Sequence, residues 1–328
     1  MRRFFWILCT LFLLTAPTTA SATFSIVARD PVTGDIGVAV QSHYFSVGPI
    51  VPWAEPGVGA VATQALGEIS YGPKGLAMMG AGKGAKQTLA ELLDRDPGRE
   101  VRQVAMIDVR GEVATHTGKK CIPSAGDHAG DQYSVQANLM VNDRVWPTMA
   151  RAYETSKGDL AERLLAALEA GQAAGGDIRG QQSAAILIVK GKRSLSPWQD
   201  RVMDLRVEDN PHPIKELRRL VQLWHAYRNV DQGDVYVAEG KIEEAMKSYA
   251  EGARLAPGND EILFWQAATL WKLHREKEAT PIFRKVFARD PRWVALVPRL
   301  VPADLLDDDP ASIKRIQALA PATRKAKR

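Results

Sequence analysis

From Thr23 the chain alternates apolar and polar positions in a way that predicts strands. TFSIVARD and DIGVAVQS carry β-branched residues, and the PVTG between them is turn chemistry. A third apolar run, GVGAVATQA, follows a connection that contains Val51, Pro52 and Trp53. KGLAMMGAGKGAKQTLAELLDRD takes up helical spacing in its second half, where Leu89, Leu92 and Leu93 share one face. QVAMIDVRGEVATHTG predicts a hairpin around Arg110 and Gly111, and QYSVQANLMV a further strand. VWPTMARAYET and DLAERLLAALEAGQAAGG read as helices, and SAAILIVKG as a last, buried strand. Strands in groups, then helices, then a strand do not give the regular alternation of a doubly wound sheet. Hairpins imply antiparallel sheets, and two helical groups suffice to cover two sheet faces. The pattern therefore predicts an α+β chain whose first domain, residues 23–191, is a layered sandwich.

After Gly191 the character changes. Residues 192–213 are polar and hold Pro197, Pro211 and Pro213, which suits a linker or an edge. Residues 214–305 read as helices with an internal repeat: Ala245, Tyr249 and Pro257 recur as Ala279, Phe283 and Pro291, each displaced by 34. That is the tetratricopeptide period, and Gly233 and Tyr236 fill its small and aromatic positions in the first repeat. Ala267 and Leu270 stand there in the second. A pair of repeats is short of the number usually needed for stability, so the helices are expected to lean on IKELRRLVQLWHAYRN or on the first domain. Residues 306–328 form a basic tail, read as a solvated, frayed terminus; SIKRIQALAPATRKAKR has six basic residues and no acid.

The apolar pattern also marks the start. FFWILCTLFLL behind Arg2 and Arg3, followed by the small residues of TASA, is a secretory signal, residues 1–22. The run is shorter than the roughly 20 residues that a spanning helix needs. The protein is therefore expected to be periplasmic or secreted, and not membrane-spanning after signal removal. Ala20-Ser21-Ala22 fits the small-x-small rule, with Thr23 as the new first residue; cleavage a few residues earlier, such as after Ala20, stays open. Cys9 leaves with the signal, and Cys121 is then alone, which rules out an intrachain disulfide. Loss of Arg2 and Arg3 takes the formal charge from +5 to +3, since residues 1–22 hold no acid. No nucleic-acid partner is expected, and the tail gives at most weak attraction to anionic surfaces.

Familiar chemical signatures are missing. GAGKGAKQT, residues 80–88, lacks the ending and spacing of a phosphate loop and reads as a Gly-rich helix start. The six histidines show no metal-ligand spacing, with His116 in a hairpin and His128 in a loop, so neither metal nor cofactor is expected. No G-x-S-x-G elbow is present. What remains is the terminus. A threonine hydroxyl needs a base, and a free α-amine, with a reference pKa of about 7.7–8.0, is one near working pH. A first-residue Thr23 would carry nucleophile and base together, but only once the bond to Ala22 is cut.

TFSIVARDPVTGDIGVAVQS, GVGAVATQA, HTGKKCIPSAGDHAGDQYSVQANLM and LLAALEAGQAAGGDIRGQQSAAILIV together resemble the bacterial DUF1028 family, placed in the N-terminal nucleophile hydrolase superfamily. The likeness covers residues 23–189. It implies a four-layer αββα sandwich, and members without a signal start Met-Thr-Phe-Ser, where loss of methionine exposes the threonine. LRVEDNPHPIKELRRL looks like an extension labelled in some members as a peptidoglycan-binding segment, so a cell-wall contact is an open expectation. A looser likeness to proteasome β subunits aligns Val40-Gln41-Ser42, IDVRG at 107–111 and SVQAN at 134–138 with their supporting segments. Two departures stand out: Gln41 replaces an aspartate, and VGPIVPWAEPGVG has no lysine.

On this resemblance Thr23 is the expected nucleophile and base, with Ser42 and Asn138 holding the amine and stabilising the tetrahedral oxyanion and Gln64 offering its backbone N–H there, or all three simply making structural bonds at strand ends. Arg29 and Asp30 lie at the far end of the first strand and read as turn-stabilising charges. The expected function is an exported amidohydrolase acting on an amide or peptide-like bond through an acyl-enzyme. The competing reading is a non-catalytic envelope binding or scaffold protein that holds a protein or peptide partner on its tetratricopeptide-like repeats.

Overall fold

Asp30 organises the first hairpin. Its Oδ1 accepts the backbone N–H of Val32 at 2.7 Å and of Thr33 at 3.1 Å, and Gly34 takes a φ of 80° that side chains disfavour. β1 (Thr23–Arg29) and β2 (Ile36–Ser42) then pair antiparallel, Arg29 opposite Ile36 and Thr23 opposite Ser42. This computed structural model describes residues 22–321. Most of the expected signal, Cys9 and the end of the basic tail lie outside the described residues. The chain divides into two compact units, one ending at Arg218 and one beginning at Arg219.

The first unit continues with β3 (Pro52–Glu55), β4 (Gly59–Ala65), α1 (Tyr71–Gly80), α2 (Ala85–Asp94), β5 (Arg102–Asp108) and β6 (Val113–Thr117). It is completed by β7 (Gly126–Gly130), β8 (Tyr133–Asn138), α3 (Val145–Thr155), α4 (Leu160–Ala173), β9 (Ser183–Val189) and β10 (Arg201–Val207). Six strands in the order β10-β9-β2-β1-β8-β7 make one sheet, and β3-β4-β5-β6 the other; all pairings are antiparallel. The sheets face each other across a buried core in which Val27, Val38 and Val40 meet Ala60, Ala62, Ala105 and Ile107. Burying each such valine stabilises the fold by about 1.5–3 kcal/mol. α1 and α2 pack on the smaller sheet, α3 and α4 on the larger. The close fit on the α1 side needs Gly72, where a Cβ would come within 2.4 Å of the Trp53 ring. α4 starts where Asp159 caps Glu162 N.

Three strands escape the sequence pattern. β7, in a stretch read as a loop around His128, is the segment GDHAG, with no apolar run to betray it. β3 grows out of the Val51-Pro52-Trp53 connection, with Pro52 tolerated as the first residue of an edge strand. β10 lies inside the segment 192–213 read as a linker or edge, and it is an edge strand on β9. The region 80–88 is the join between α1 and α2, with Gly84 as N-cap.

α5 (Pro213–Ala238) carries the unit boundary within its length, later than the expected start of the helical domain at 214. The second unit follows with α6 (Ile242–Leu255), α7 (Asp260–Lys272), α8 (Glu276–Arg289), α9 (Arg292–Leu296) and α10 (Pro310–Gln317). The repeated positions are core positions: Ala245 and Ala279, and Tyr249 and Phe283, are all buried. Pro257 and Pro291 stand just beyond the ends of α6 and α8, where proline cannot continue a helix. Gly233 lets α5 approach Tyr249, since a Cβ there would lie 2.5 Å from the ring. The segment read as a frayed tail from 306 onward begins instead with packed structure. Leu306 and Ile316 are buried, Asp309 caps Ala311 N, and Trp271 Nε1 donates to Ser312 Oγ at 2.7 Å.

Candidate functional site

Period-two alternation splits β1 into two rows. Thr23, Ser25 and Val27 face the smaller sheet: Ser25 Oγ donates to Gln64 Oε1 of β4 at 2.6 Å, and Val27 joins the intersheet core. Phe24, Ile26 and Ala28 face the helices, with Phe24 close to Gly171 of α4. Thr23 is flanked in the sheet by Ser42 of β2 and Asn138 of β8. Three of the four expected site residues, Thr23, Ser42 and Asn138, are thus brought together by strand register, and Gln64 joins them from the facing sheet.

The hydroxyls form a directed chain. Thr23 Oγ1 lies 3.1 Å from Ser42 Oγ, and Ser42 Oγ donates to the Ala22 carbonyl at 2.6 Å. A serine hydroxyl has one proton, so with that proton on a carbonyl the Thr23 hydroxyl donates to Ser42. The Ala22 oxygen receives a second donor, Arg179 Nη2, at 2.9 Å. Asp177 holds Arg179 in a fork, accepting Nε at 3.2 Å and Nη2 at 2.9 Å. The same carboxylate, fully buried, also accepts the backbone N–H of Arg179 at 2.8 Å and of His43 at 2.9 Å.

Beneath Thr23 lies a network of buried amides. Its own carbonyl accepts Gln64 Nε2 at 3.1 Å and Asn138 Nδ2 at 3.4 Å. Gln64 and Asn138 therefore hold the main chain of Thr23, and their amides are directed at its own oxygen rather than at that of Ala22. Both also donate to Gln103 Oε1 of β5, at 2.8 and 3.0 Å. Gln103 Nε2 donates on to Thr117 Oγ1 and the Ala137 carbonyl, each at 2.9 Å, and Gln136 Nε2 to Ser25 Oγ at 2.5 Å. Burying so many polar groups is tolerable because they bond one another, and the bonds fix their rotamers. Two non-glycine residues in the left-handed region end the strands here: Ala65 (φ 70°) directly after Gln64, and Leu139 (φ 57°) directly after Asn138. Such geometry costs about 1–3 kcal/mol per residue and concentrates at functional sites.

Gln41, which stands where the proteasome-like pattern has an aspartate, pairs with Phe24 and Ala184. It therefore sits on the helix-facing side, away from the Thr23 hydroxyl, fully buried and with neither amide atom bonded among the described residues. The cation at this end of the sheet comes from Arg179, in GGDIRGQQS, and not from the lysine-free segment after β2. Arg29 and Asp30 are at the opposite end of β1, where Arg29 Nε donates to Val109 O at 2.9 Å. Burial pushes the Cys121 thiol pKa up, which keeps it a weak nucleophile. Among the described residues no group of His, Cys, Asp or Glu is placed to hold a metal ion, and no helix is long and apolar enough to cross a membrane.

A family model described as a family of unknown function, DUF1028, matches residues 23–217, starting at Thr23. Among solved structures, the crystal structure of the DUF1028 protein SPO2555 from Silicibacter pomeroyi is similar, with a TM-score of 0.56 and 30% identity, covering 61% of this chain and 88% of that one. No curated protein matches the chain.

Proposed function

The chain belongs to the DUF1028 family, and from the geometry at Thr23 we propose that it is an exported N-terminal-threonine amidohydrolase. The observation that carries this reading is the directed chain from Thr23 Oγ1 to Ser42 Oγ to the Ala22 carbonyl at the residue where a small-x-small segment ends. Helices packed outside two facing antiparallel sheets support, as its fold, the four-layer αββα sandwich of the N-terminal nucleophile hydrolases.

Removal of residues 1–22 by export processing to the periplasm or medium turns the Thr23 amide nitrogen into an α-amine, a group whose reference pKa of about 7.7–8.0 lies near working pH. The Thr23 hydroxyl turns its proton from Ser42 to that amine, which takes it while Oγ1 bonds to the carbonyl carbon of a substrate amide, and the carbonyl π pair moves to its oxygen. Collapse breaks the C–N bond. The leaving amine takes the proton, and an ester remains on Thr23. Water then hydrolyses the ester, so one amide and one water give one acid and one amine. Ser42 orients the hydroxyl, and Gln64 and Asn138 keep the Thr23 backbone in place.

The secreted protein is expected to begin at Thr23 by intact mass and to gain one equivalent of a β-lactone or epoxyketone probe on that residue, faster as pH rises through the amine titration. Thr23→Ala should not be labelled. A different first residue, or labelling that survives Thr23→Ala, would end this reading.

A second reading, a binding protein acting through tetratricopeptide-like repeats, has its own observation. A cavity of about 560 Å³ in the helical unit is lined by Asp231, Asp234, Glu261 and Asp304 against a single cation among the described residues, Lys272, which pairs with Asp307, and Tyr227 and Trp265 stand beside them. Acids and aromatic faces together suit a cationic peptide.

A further inference from the structure

We propose that Arg179, locked by Asp177, is the electrophilic donor that holds the oxygen of the substrate carbonyl under attack by Thr23, with the Ser42 hydroxyl as second donor. The proposal rests on the amidohydrolase reading above. The intact Ala22–Thr23 bond is itself an amide lying against the Thr23 hydroxyl, and so shows which groups surround a carbonyl in that position. Its oxygen takes Ser42 Oγ at 2.6 Å and Arg179 Nη2 at 2.9 Å. One N–H would satisfy a buried carbonyl. One guanidinium N–H and one hydroxyl together occupy both lone pairs of that oxygen, and a cationic donor beside a neutral one matches the charge that grows on oxygen as the carbon becomes tetrahedral.

Gln64 and Asn138 are engaged with the carbonyl of Thr23 itself, so they position the nucleophile and do not polarise the electrophile. Arg179 is aimed by a carboxylate that is fully buried and bonded from the backbone on two sides, at Arg179 N and His43 N. Glycines at positive φ, Gly175, Gly176 and Gly180, bracket the segment and let it turn back toward β1. After processing, the Ala22 oxygen is gone and a substrate oxygen takes its place. Because Asp177 balances the charge of Arg179, the pair as a unit is neutral. It therefore favours charge that develops on a carbonyl during attack over a carboxylate already present in the ground state, and the substrate class it fits is the uncharged amide.

The test uses the processed full-length protein and two β-lactones of equal size, one uncharged and one bearing a carboxylate, with acylation at Thr23 followed by mass. Arg179→Gln should slow acylation by both probes about 10²-fold. Arg179→Lys should lose less, and added methylguanidine should restore rate to Arg179→Gly. Equal rates in wild type and Arg179→Gln overturn the proposal and leave the amidohydrolase reading intact. Slowing confined to the acidic probe also overturns it, because Arg179 would then select substrates. A loss that methylguanidine does not rescue, accompanied by a lowered melting temperature, makes Arg179 structural. Failure of wild type beginning at Thr23 to react with either probe sinks the amidohydrolase reading and this proposal with it.

Discussion

Gln103 is the residue on which the polar groups of both sheets converge. Its Oε1 is the shared acceptor for Gln64 and Asn138, and its Nε2 reaches Thr117 and Ala137. Gln103→Leu would take one acceptor from each of two buried amides, which keep their bonds to the Thr23 carbonyl, at about 1–3 kcal/mol for each bond lost. Urea unfolding should show Gln103→Leu destabilised by about 2–4 kcal/mol, and a change below about 0.5 kcal/mol would mean the network contributes nothing to stability. Thr23 was legible from the small-x-small segment before it and Ser42 from the likeness of Val40-Gln41-Ser42 to a proteasome strand end, and the hairpin register sets the two opposite each other. Gln103 and Arg179 were not. Gln103 bonds Asn138 across 35 positions and Arg179 bonds Ala22 across 157, separations over which spacing carries no signal. The one sequence clue was a polar residue in an apolar strand, with Gln103 in the same row as Ala105 and Ile107.

Between elements, Asp96 ties the α2–β5 connection to its surroundings. It accepts Gly98 N at 2.7 Å, Arg102 Nε at 2.9 Å and Tyr71 Oη from α1 at 3.2 Å, while Arg102 also bonds the Leu66 carbonyl just beyond β4. Burial pushes the Asp96 carboxyl pKa up, but the Arg102 guanidinium and the Gly98 N–H outweigh it and hold the group below its ordinary value. A depressed folded-state pKa gives stability that is fully present above the unfolded value, near 3.9, and is lost as pH falls through the folded value. Asp96→Asn should therefore cost about 1–3 kcal/mol at pH 7, with the gap to wild type closing below about pH 4. A gap unchanged at pH 3 would remove the charge from the explanation. Elements with a buried face, such as β2 and β9, were readable from their apolar runs. β3, β7 and β10 are sheet edges with one strand partner each, so their sequences need no continuous apolar row and gave no pattern to read.

The molecule carries two units, and each has a candidate site built wholly from its own residues: Thr23 with its network in the first, and the acidic cavity in the second. In that cavity Asp234 accepts the Tyr249 hydroxyl at 2.6 Å and Glu261 the Tyr227 hydroxyl at 2.5 Å, which holds their carboxylates toward the aromatic wall. A nona-arginine peptide should bind the full chain, weakening as salt screens the charges, whereas a nona-glutamate peptide should not. Replacing Asp231 and Asp304 together by asparagine should weaken nona-arginine binding about tenfold. Because no residue is shared, Thr23→Ala should bind the peptide as wild type does, and the doubly substituted chain should keep wild-type acylation at Thr23. Nona-arginine binding unmoved by the two asparagines would dismiss the cavity as the peptide site. Acylation that falls in that variant would show that the helical unit serves the chemistry at Thr23, and the two sites would then have to be read as one device.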